Sequence, residues 1–328
     1  MQDCKTNSIE RVCLIKSKYN EFKELILKEL PSDIVVLLIS IVGSRGKLLY
    51  SNESDFDIRI VFIDTYKNYL LQNIRTNIKI KTKINLNDDD KYVDIEGTAI
   101  ELTCIFKFAV KSNSFASEII KSKIIYINKK IVFFNILKKA FINNFNFNVA
   151  LRQILGLINS DLKKNINSKE KKKCFTTDYP LFIKECLKYN IKAKVLLEVL
   201  YLILSALYLI EEGVEKWLDI YNINELCASN ISILTSNKHE ESNKIKSYYE
   251  FKNFVYIILN KRIVNKDELL NITEEDKMYI EHSIQLIEKN LKHINIKDEF
   301  TNKLKINKIN NNNNYEEEDI VKIIENLK

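Results

Sequence analysis

Residues 41 to 62, IVGSRGKLLYSNESDFDIRIVF, constrain this chain more than any other stretch. Ile34 to Val42 is a short, unbroken, branched apolar run that ends at Gly43, the pattern of a buried strand closed by a turn. Phe56 to Ile63 alternates Asp57 and Arg59 with Ile58 and Ile60, so a second strand is expected with an apolar face and a polar one. Asp55 and Asp57, two residues apart on such a strand, are expected to point the same way.

The surrounding text supplies the rest of a domain. Apolar positions at helical spacing run from 8 to 30 and stop at Pro31, which cannot continue a helix. Further strands are expected at 78 to 84 and 91 to 96, with helices at 99 to 112 and 115 to 122. Beyond about residue 135 the pattern is helical almost throughout, broken by a lysine-rich stretch at 163 to 173, with a strongly apolar helix at 192 to 212. Strands first and helices afterwards define an α+β chain: a mixed sheet with flanking helices, then a mainly helical second domain. The expected boundaries are an N-terminal helix at 1–32, a catalytic domain at 33–134, a helical domain at 135–305, and an Asn-rich linker with an acidic terminal helix at 306–328.

Composition excludes several classes. With 46% hydrophobic residues in 328, the chain can build full cores without staples. The six cysteines show no C-x-x-C spacing, and the first residues are too polar for a signal peptide, so reduced thiols in a cytoplasmic setting are expected. Val195 to Ile210 is interrupted by Glu198 and is shorter than a membrane span requires, so it reads as a buried helix with no membrane partner. The net charge of +7 carries little weight, because lysine, asparagine and isoleucine enrich the whole chain. His239, His282 and His293 have no i, i+4 partner and read as surface residues. Cys104 reads as buried and inert, and Asn113 as a C-cap near Glu118.

A strand-ending Gly-Ser followed after a spacer by Asp-x-Asp on a second strand has a specific chemical use. Divalent cations that bridge a triphosphate and an attacking hydroxyl need carboxylates on one face, supplied here by Asp55 and Asp57, and hard oxygen donors suit Mg²⁺ or Mn²⁺. Gly43 and Ser44 would offer backbone N–H groups and a hydroxyl to the phosphates, and Arg45 and Arg59 positive charge.

The arrangement GSR, a spacer, then S-D-x-D-x-R resembles the YcgL group of polymerase-beta-like nucleotidyltransferases, which includes RNA-repair-associated members. Gly43, Ser44, Arg45, Ser51, Ser54, Asp55, Asp57 and Arg59 fall in register, as do Lys111, Ser112, Asn113, Glu118, Ser122 and Tyr126 further on. The resemblance implies a polymerase-beta-like fold, a nucleoside triphosphate substrate, an RNA acceptor, nucleotide-binding roles for Gly43, Ser44, Arg45, Ser54 and Arg59, and a phosphate-facing Lys194 in the helical half. It covers residues 41 to 126 strongly and 145 to 226 more faintly. The chain departs from it at Lys47, at Leu48, where the family carries a second glycine, and at Tyr201, where the family carries an arginine. A third carboxylate is ambiguous: counting back from Asn113 selects Glu96, and an Asp-x-x-Gly pattern ending at Gly97 selects Asp94, the preferred metal ligand on chemical grounds. Three functions follow as expectations: transfer of a nucleoside monophosphate to a hydroxyl, a catalytically degenerate nucleotide- or RNA-binding protein, or the nucleotidyltransferase member of a toxin and antitoxin pair.

Overall fold

The computed structural model describes residues 18–51, 54–85, 92–128, 133–165, 186–187, 190–229, 254–259, 269–270 and 272–305. The expected Asn-rich linker and acidic terminal helix, His239 and the side chain of His293 lie outside the described residues.

Two compact units divide at Phe145 and Asn146. The first begins with helix α1 (Tyr19–Lys28), then strand β1 (Val35–Val42), a single helical turn α2 (Gly43–Gly46), β2 (Phe56–Ile63), a short α3 (Tyr66–Leu70), β3 (Asn77–Asn85) and β4 (Tyr92–Glu101). It continues through α4 (Leu102–Val110), α5 (Ser114–Lys121), β5 (Lys123–Ile127) and α6 (Phe133–Asn143). The strands form one five-stranded sheet in the order β3-β4-β2-β1-β5, in which β2 and β4 run parallel and the other neighbours antiparallel.

Strand alternation gives the sheet two different faces. One carries Ile39, Ile41, Phe56, Ile58, Ile60, Ile80, Ile84, Ile95 and Ala99, sealed by Phe22 and Ile26 of α1. Phe22 meets Phe56 edge-on with ring centroids 5.1 Å apart, and loss of either ring would cost about 3–5 kcal/mol. Gly97 belongs to this face for a packing reason, since a Cβ there would lie 2.3 Å from Ile58 Cγ1. On the other face α4 packs against β2 and β4, α5 against β1, and α6 against α4 and α5. These helices bury Leu102, Ile105, Ile119, Phe133 and Phe141. Contacts with α4 and α5 place α6 in the first unit, which ends at Phe145, eleven residues beyond the expected boundary at 134/135.

In the second unit are α7 (Phe147–Asn165), a strand pair β6 (Ile191–Lys192) and β7 (Leu269–Leu270), α8 (Ala193–Asp219), α9 (Ile223–Ala228) and α10 (Glu274–Lys305). Helix α8 is apolar on nearly every side and packs against α7, α9 and α10. It is long and apolar enough to cross a membrane by length and composition, yet 78% of its apolar window is buried within the protein. Its helical dihedrals break at Gly213, where φ is +82°. Trp217 packs in this core as expected, donating from Nε1 to Ser205 Oγ at 2.8 Å. His282 departs from the surface expectation: it is half-buried, and burial lowers its pKa.

Candidate active site

The second face of the sheet changes character along its strands. Near the helices it is apolar, with Val61 and Ile100 buried. Towards the start of β2 it bears Asp57 and Arg59, and on the parallel neighbour β4 it bears Asp94, Glu96 and Thr98, all partly exposed. Asp57 pairs in register with Glu96, and Arg59 with Thr98, so each pair projects side by side. Asp94 precedes Ile95, the register partner of Phe56, and therefore stands level with the approach to β2, where Asp55 is exposed just before the strand begins.

Gly43 gives the site its closest fit. It adopts φ +62°, and a Cβ on it would lie 2.0 Å from Asp57 Oδ2 and 2.7 Å from its carboxyl carbon. The turn that ends β1 thus lies directly against the Asp57 carboxylate, and no residue with a side chain fits between them. After it, Lys47 N–H donates to the Gly43 carbonyl at 3.1 Å and Leu49 N–H to the Ser44 carbonyl at 2.7 Å, which closes the turn. Ser44 is buried within it.

Leu48 occupies the left-handed region with φ +59°, the conformation for which glycine is suited. The loop therefore keeps a glycine-type backbone at the position where the resembling family has glycine, and Leu48 bears the strain.

Arg45 and Ser54 have local partners. The Arg45 guanidinium is buried, donates from Nε to the carbonyls of Ser54 at 2.8 Å and Asp55 at 3.1 Å, and stacks over the rings of Phe56 at 4.0 Å and Tyr50 at 5.1 Å. Ser54 is also buried and accepts from Ser51 N–H at 2.9 Å. Both hold the backbone that delivers Asp55 to the sheet. Arg59 lies over the Phe115 ring at 4.5 Å and 3.4 Å from Glu118 Oε2, so α5 already faces its charge with a carboxylate. Asn113 serves both helices: its N–H donates to the Phe108 carbonyl at 2.9 Å and closes α4, and its side chain caps the start of α5, accepting from Phe115 N–H at 2.8 Å. The thiol of Cys104 is half-buried and pushed up by burial, which keeps it protonated and inert.

Positive charge flanks the carboxylates on the edge strand. Lys81 Nζ lies 2.5 Å from Glu96 Oε1 and Lys83 Nζ 3.4 Å from Asp94 Oδ1, each lysine opposite its carboxylate in register. The hydrogen bond to Glu96 raises the pKa of Lys81. Asp94 Oδ1 is covered yet accepts no hydrogen bond, its contact with Lys83 being an ion pair without hydrogen-bond alignment. Among the described residues no three acidic, histidine or cysteine side chains converge on a common metal position. The donors present nevertheless suit a hard cation, because Mg²⁺ needs only one or two protein carboxylates beside water and substrate phosphates. Asp57 and Glu96 are such a pair, and Asp94 Oδ1, ion-paired with Lys83 but without a hydrogen bond, stands two residues before Glu96 on the same strand.

In the second unit Lys194 is exposed in the first turn of α8. Tyr201 is buried in the core of that unit, its hydroxyl donating to the Tyr221 carbonyl at 2.8 Å, so the position where the resembling family has arginine faces inward here.

Sequence reasoning did not single out Asp64 and Glu101, at the far ends of β2 and β4. Asp64 accepts from the N–H groups of Thr65 at 2.7 Å and Arg75 at 2.7 Å and from the Asn68 amide at 2.9 Å, with the Arg75 guanidinium beside it. Burial works against its charge, but these hydrogen bonds, Arg75 foremost, hold its carboxyl well below the usual carboxylate range. Glu101 caps α4, accepting from the N–H groups of Thr103 at 2.8 Å and Cys104 at 3.3 Å, and it also accepts from the Tyr69 hydroxyl. The available signal was a carboxylate at the junction of a strand and a helix, where an N-cap is expected.

No protein-family model matches the chain, and no curated protein matches it. Among solved structures, one similar chain is a nucleotidyltransferase-like protein from Exiguobacterium sibiricum 255-15. It is 14% identical, the match covers 85% of this chain and 73% of that one, and the TM-score is 0.24.

Proposed function

We propose that this protein is a nucleotidyltransferase that moves a nucleoside monophosphate from a nucleoside triphosphate to a hydroxyl, RNA being the expected acceptor. The observation that carries the reading is the seating of Asp57 directly against Gly43 with Glu96 beside it in register. A glycine turn and a carboxylate in contact give one place where phosphate and cation can meet. Mg²⁺ or Mn²⁺ held by Asp57 and a carboxylate of β4, with Asp55 at the approach to the strand, would neutralise phosphate charge and acidify the attacking hydroxyl.

The chain's own groups divide the remaining work. The turn at Gly43 and Ser44 receives the phosphates through its backbone. Arg45 and Ser54 fix the approach to Asp55. In the transfer, the acceptor oxygen bonds to the α-phosphorus, the bond to the β-phosphate breaks, pyrophosphate leaves, and the hydroxyl proton passes to a carboxylate on β4. Register favours Glu96 for that proton, since Glu96 and not Asp94 is the neighbour of Asp57.

The test is incubation of the full chain with each radiolabelled nucleoside triphosphate, Mg²⁺ or Mn²⁺, and RNA. Wild type should label the RNA, and Asp57→Asn should lose at least about 10³-fold in rate, roughly 4 kcal/mol, with an unchanged fold. Labelling by the double variant Asp55→Asn, Asp57→Asn would sink the mechanism. Single-turnover rates for Glu96→Ala and Asp94→Ala decide the proton acceptor, with Glu96→Ala expected to be the slower. A second reading, a nucleotide- or RNA-binding protein without catalysis, rests on Tyr201, which stands where the resembling family has arginine and is buried in the core of its own unit. Nucleotide binding without any labelling would select it.

A further inference from the structure

Edge strand β3 carries Lys79, Lys81 and Lys83, all exposed, on the face that bears Asp57 and Glu96. The alternate residues Ile80 and Ile84 are buried in the core beneath them. Lys81 and Lys83 pair with Glu96 and Asp94, while Lys79 stands opposite Thr98, an uncharged residue. The two paired lysines remain 70% and 62% exposed, and solvent-exposed ion pairs are weak and readily exchanged.

We propose that this lysine row is the track for the phosphodiester backbone of a single nucleic-acid strand, and that divalent cations free it by replacing the lysines on Glu96 and Asp94. The inference rests on the transferase reading and names its acceptor surface. Lys79 to Lys83 spans about 13 Å at roughly 3.3 Å per residue, which exceeds what one triphosphate can engage and suits successive phosphates of an extended strand. Lysines on flexible stems are point charges that hold a backbone without reading bases. With cations absent, the ammonium groups neutralise the β4 carboxylates and are themselves neutralised. With cations bound, both sets exchange partners, so cation and strand each strengthen the binding of the other.

The experiment titrates the full chain into a labelled single-stranded oligoribonucleotide, read by fluorescence anisotropy at several salt concentrations, with and without Mn²⁺. Mn²⁺ binding is followed in parallel by electron paramagnetic resonance. Wild type should bind the strand more tightly with Mn²⁺. The variant Lys79→Gln, Lys81→Gln, Lys83→Gln, its fold checked by circular dichroism, should lose that enhancement and bind at least tenfold more weakly. Its slope of log affinity against log salt should be shallower by about 2, from about 0.7 per lost phosphate contact on a single strand. It should bind Mn²⁺ no more weakly than wild type.

Unchanged strand affinity and slope in the variant would overturn the proposal. So would self-association of the variant with normal strand binding, which would make the lysines mere protection of a sheet edge. Loss of affinity for a non-hydrolysable triphosphate but not for the strand would reassign the row to the nucleotide and overturn it too. If wild type binds no Mn²⁺, the metal-dependent reading and the exchange both fall, while the salt slope still decides the lysine track separately.

Discussion

The parallel pair β2 and β4 carries carboxylates at both ends, and the two ends treat them in opposite ways. At the far end Asp64 is 3% exposed and Glu101 is fully buried, and each accepts several hydrogen bonds from neighbouring backbone and side chains. At the near end Asp55, Asp57, Asp94 and Glu96 are exposed or half-buried, and the cations opposite Glu96 and Asp94 are exposed lysines on an edge strand. An ionised carboxylate accepts about four hydrogen bonds, and Asp64 already receives donors from Thr65, Asn68 and Arg75. Asp64 and Glu101 are therefore spent on the fold, whereas the near-end carboxylates all reach solvent.

The contrast is broken most severely at Gly43. Ala at this position would carry a Cβ 2.0 Å from Asp57 Oδ2 and would keep the left-handed backbone. Displacement of the carboxylate should lower transfer by about 10²-fold or more, since misplacement by an ångström has that effect. The strained residue should cost about 2 kcal/mol of stability. Wild-type rates in Gly43→Ala would show that the close approach has no catalytic meaning.

At the far end the effect should fall on stability alone. Asp64→Ala removes the buried partner of Arg75, which keeps Asp33 at 2.9 Å, so the loss should sit near the low end for a broken buried pair, about 3 kcal/mol. Denaturant unfolding measures it, and the transfer rate per folded molecule should stay at the wild-type value. A variant of wild-type stability but reduced rate would mean that the two ends are not separate.

Acid should act on the far end by the same logic. The Asp64 pKa is depressed in the folded protein, so its contribution to stability is fully present above the unfolded carboxylate value of about 3.9 and fades as pH falls below that towards the folded value. Wild type should therefore lose stability more steeply than Asp64→Ala below about pH 4. Parallel acid profiles for the two proteins would remove Asp64 from the account.

The near end was legible in sequence because its residues break an apolar alternation. Asp57 and Arg59 interrupt a run of isoleucines, and β2 spans 56 to 63 as that alternation predicts. The far end was hidden because Glu101 closes a strand and opens a helix without a break in the apolar pattern, which is also why a helix from 99 was expected where the structure starts it at Leu102. β5 was missed for its shortness, only five residues, and its place at the sheet edge comes from pairing with β1. Arg45 was legible as important and misread as to partner. Nothing in GSR reveals that its guanidinium turns inward to the carbonyls of Ser54 and Asp55.

The smallest expected effect concerns Leu48. A non-glycine residue at φ +59° costs roughly 1–2 kcal/mol, which Asn relieves in part because its short polar side chain tolerates that region. Glycine removes the strain entirely but adds freedom to the unfolded chain, at roughly 0.5–1 kcal/mol, and it gives up the half-buried leucine side chain. Leu48→Asn should therefore stabilise the protein by about 0.5 kcal/mol, and Leu48→Gly should lie within about 0.5 kcal/mol of wild type. Neither should change the transfer rate, because the backbone already has the shape that glycine would give it. Destabilisation of more than about 1 kcal/mol in both variants would show that apolar contacts of Leu48, not its backbone, set the energetics of the turn. A rise in transfer rate for Leu48→Gly alone would show instead that the leucine side chain obstructs the phosphate site.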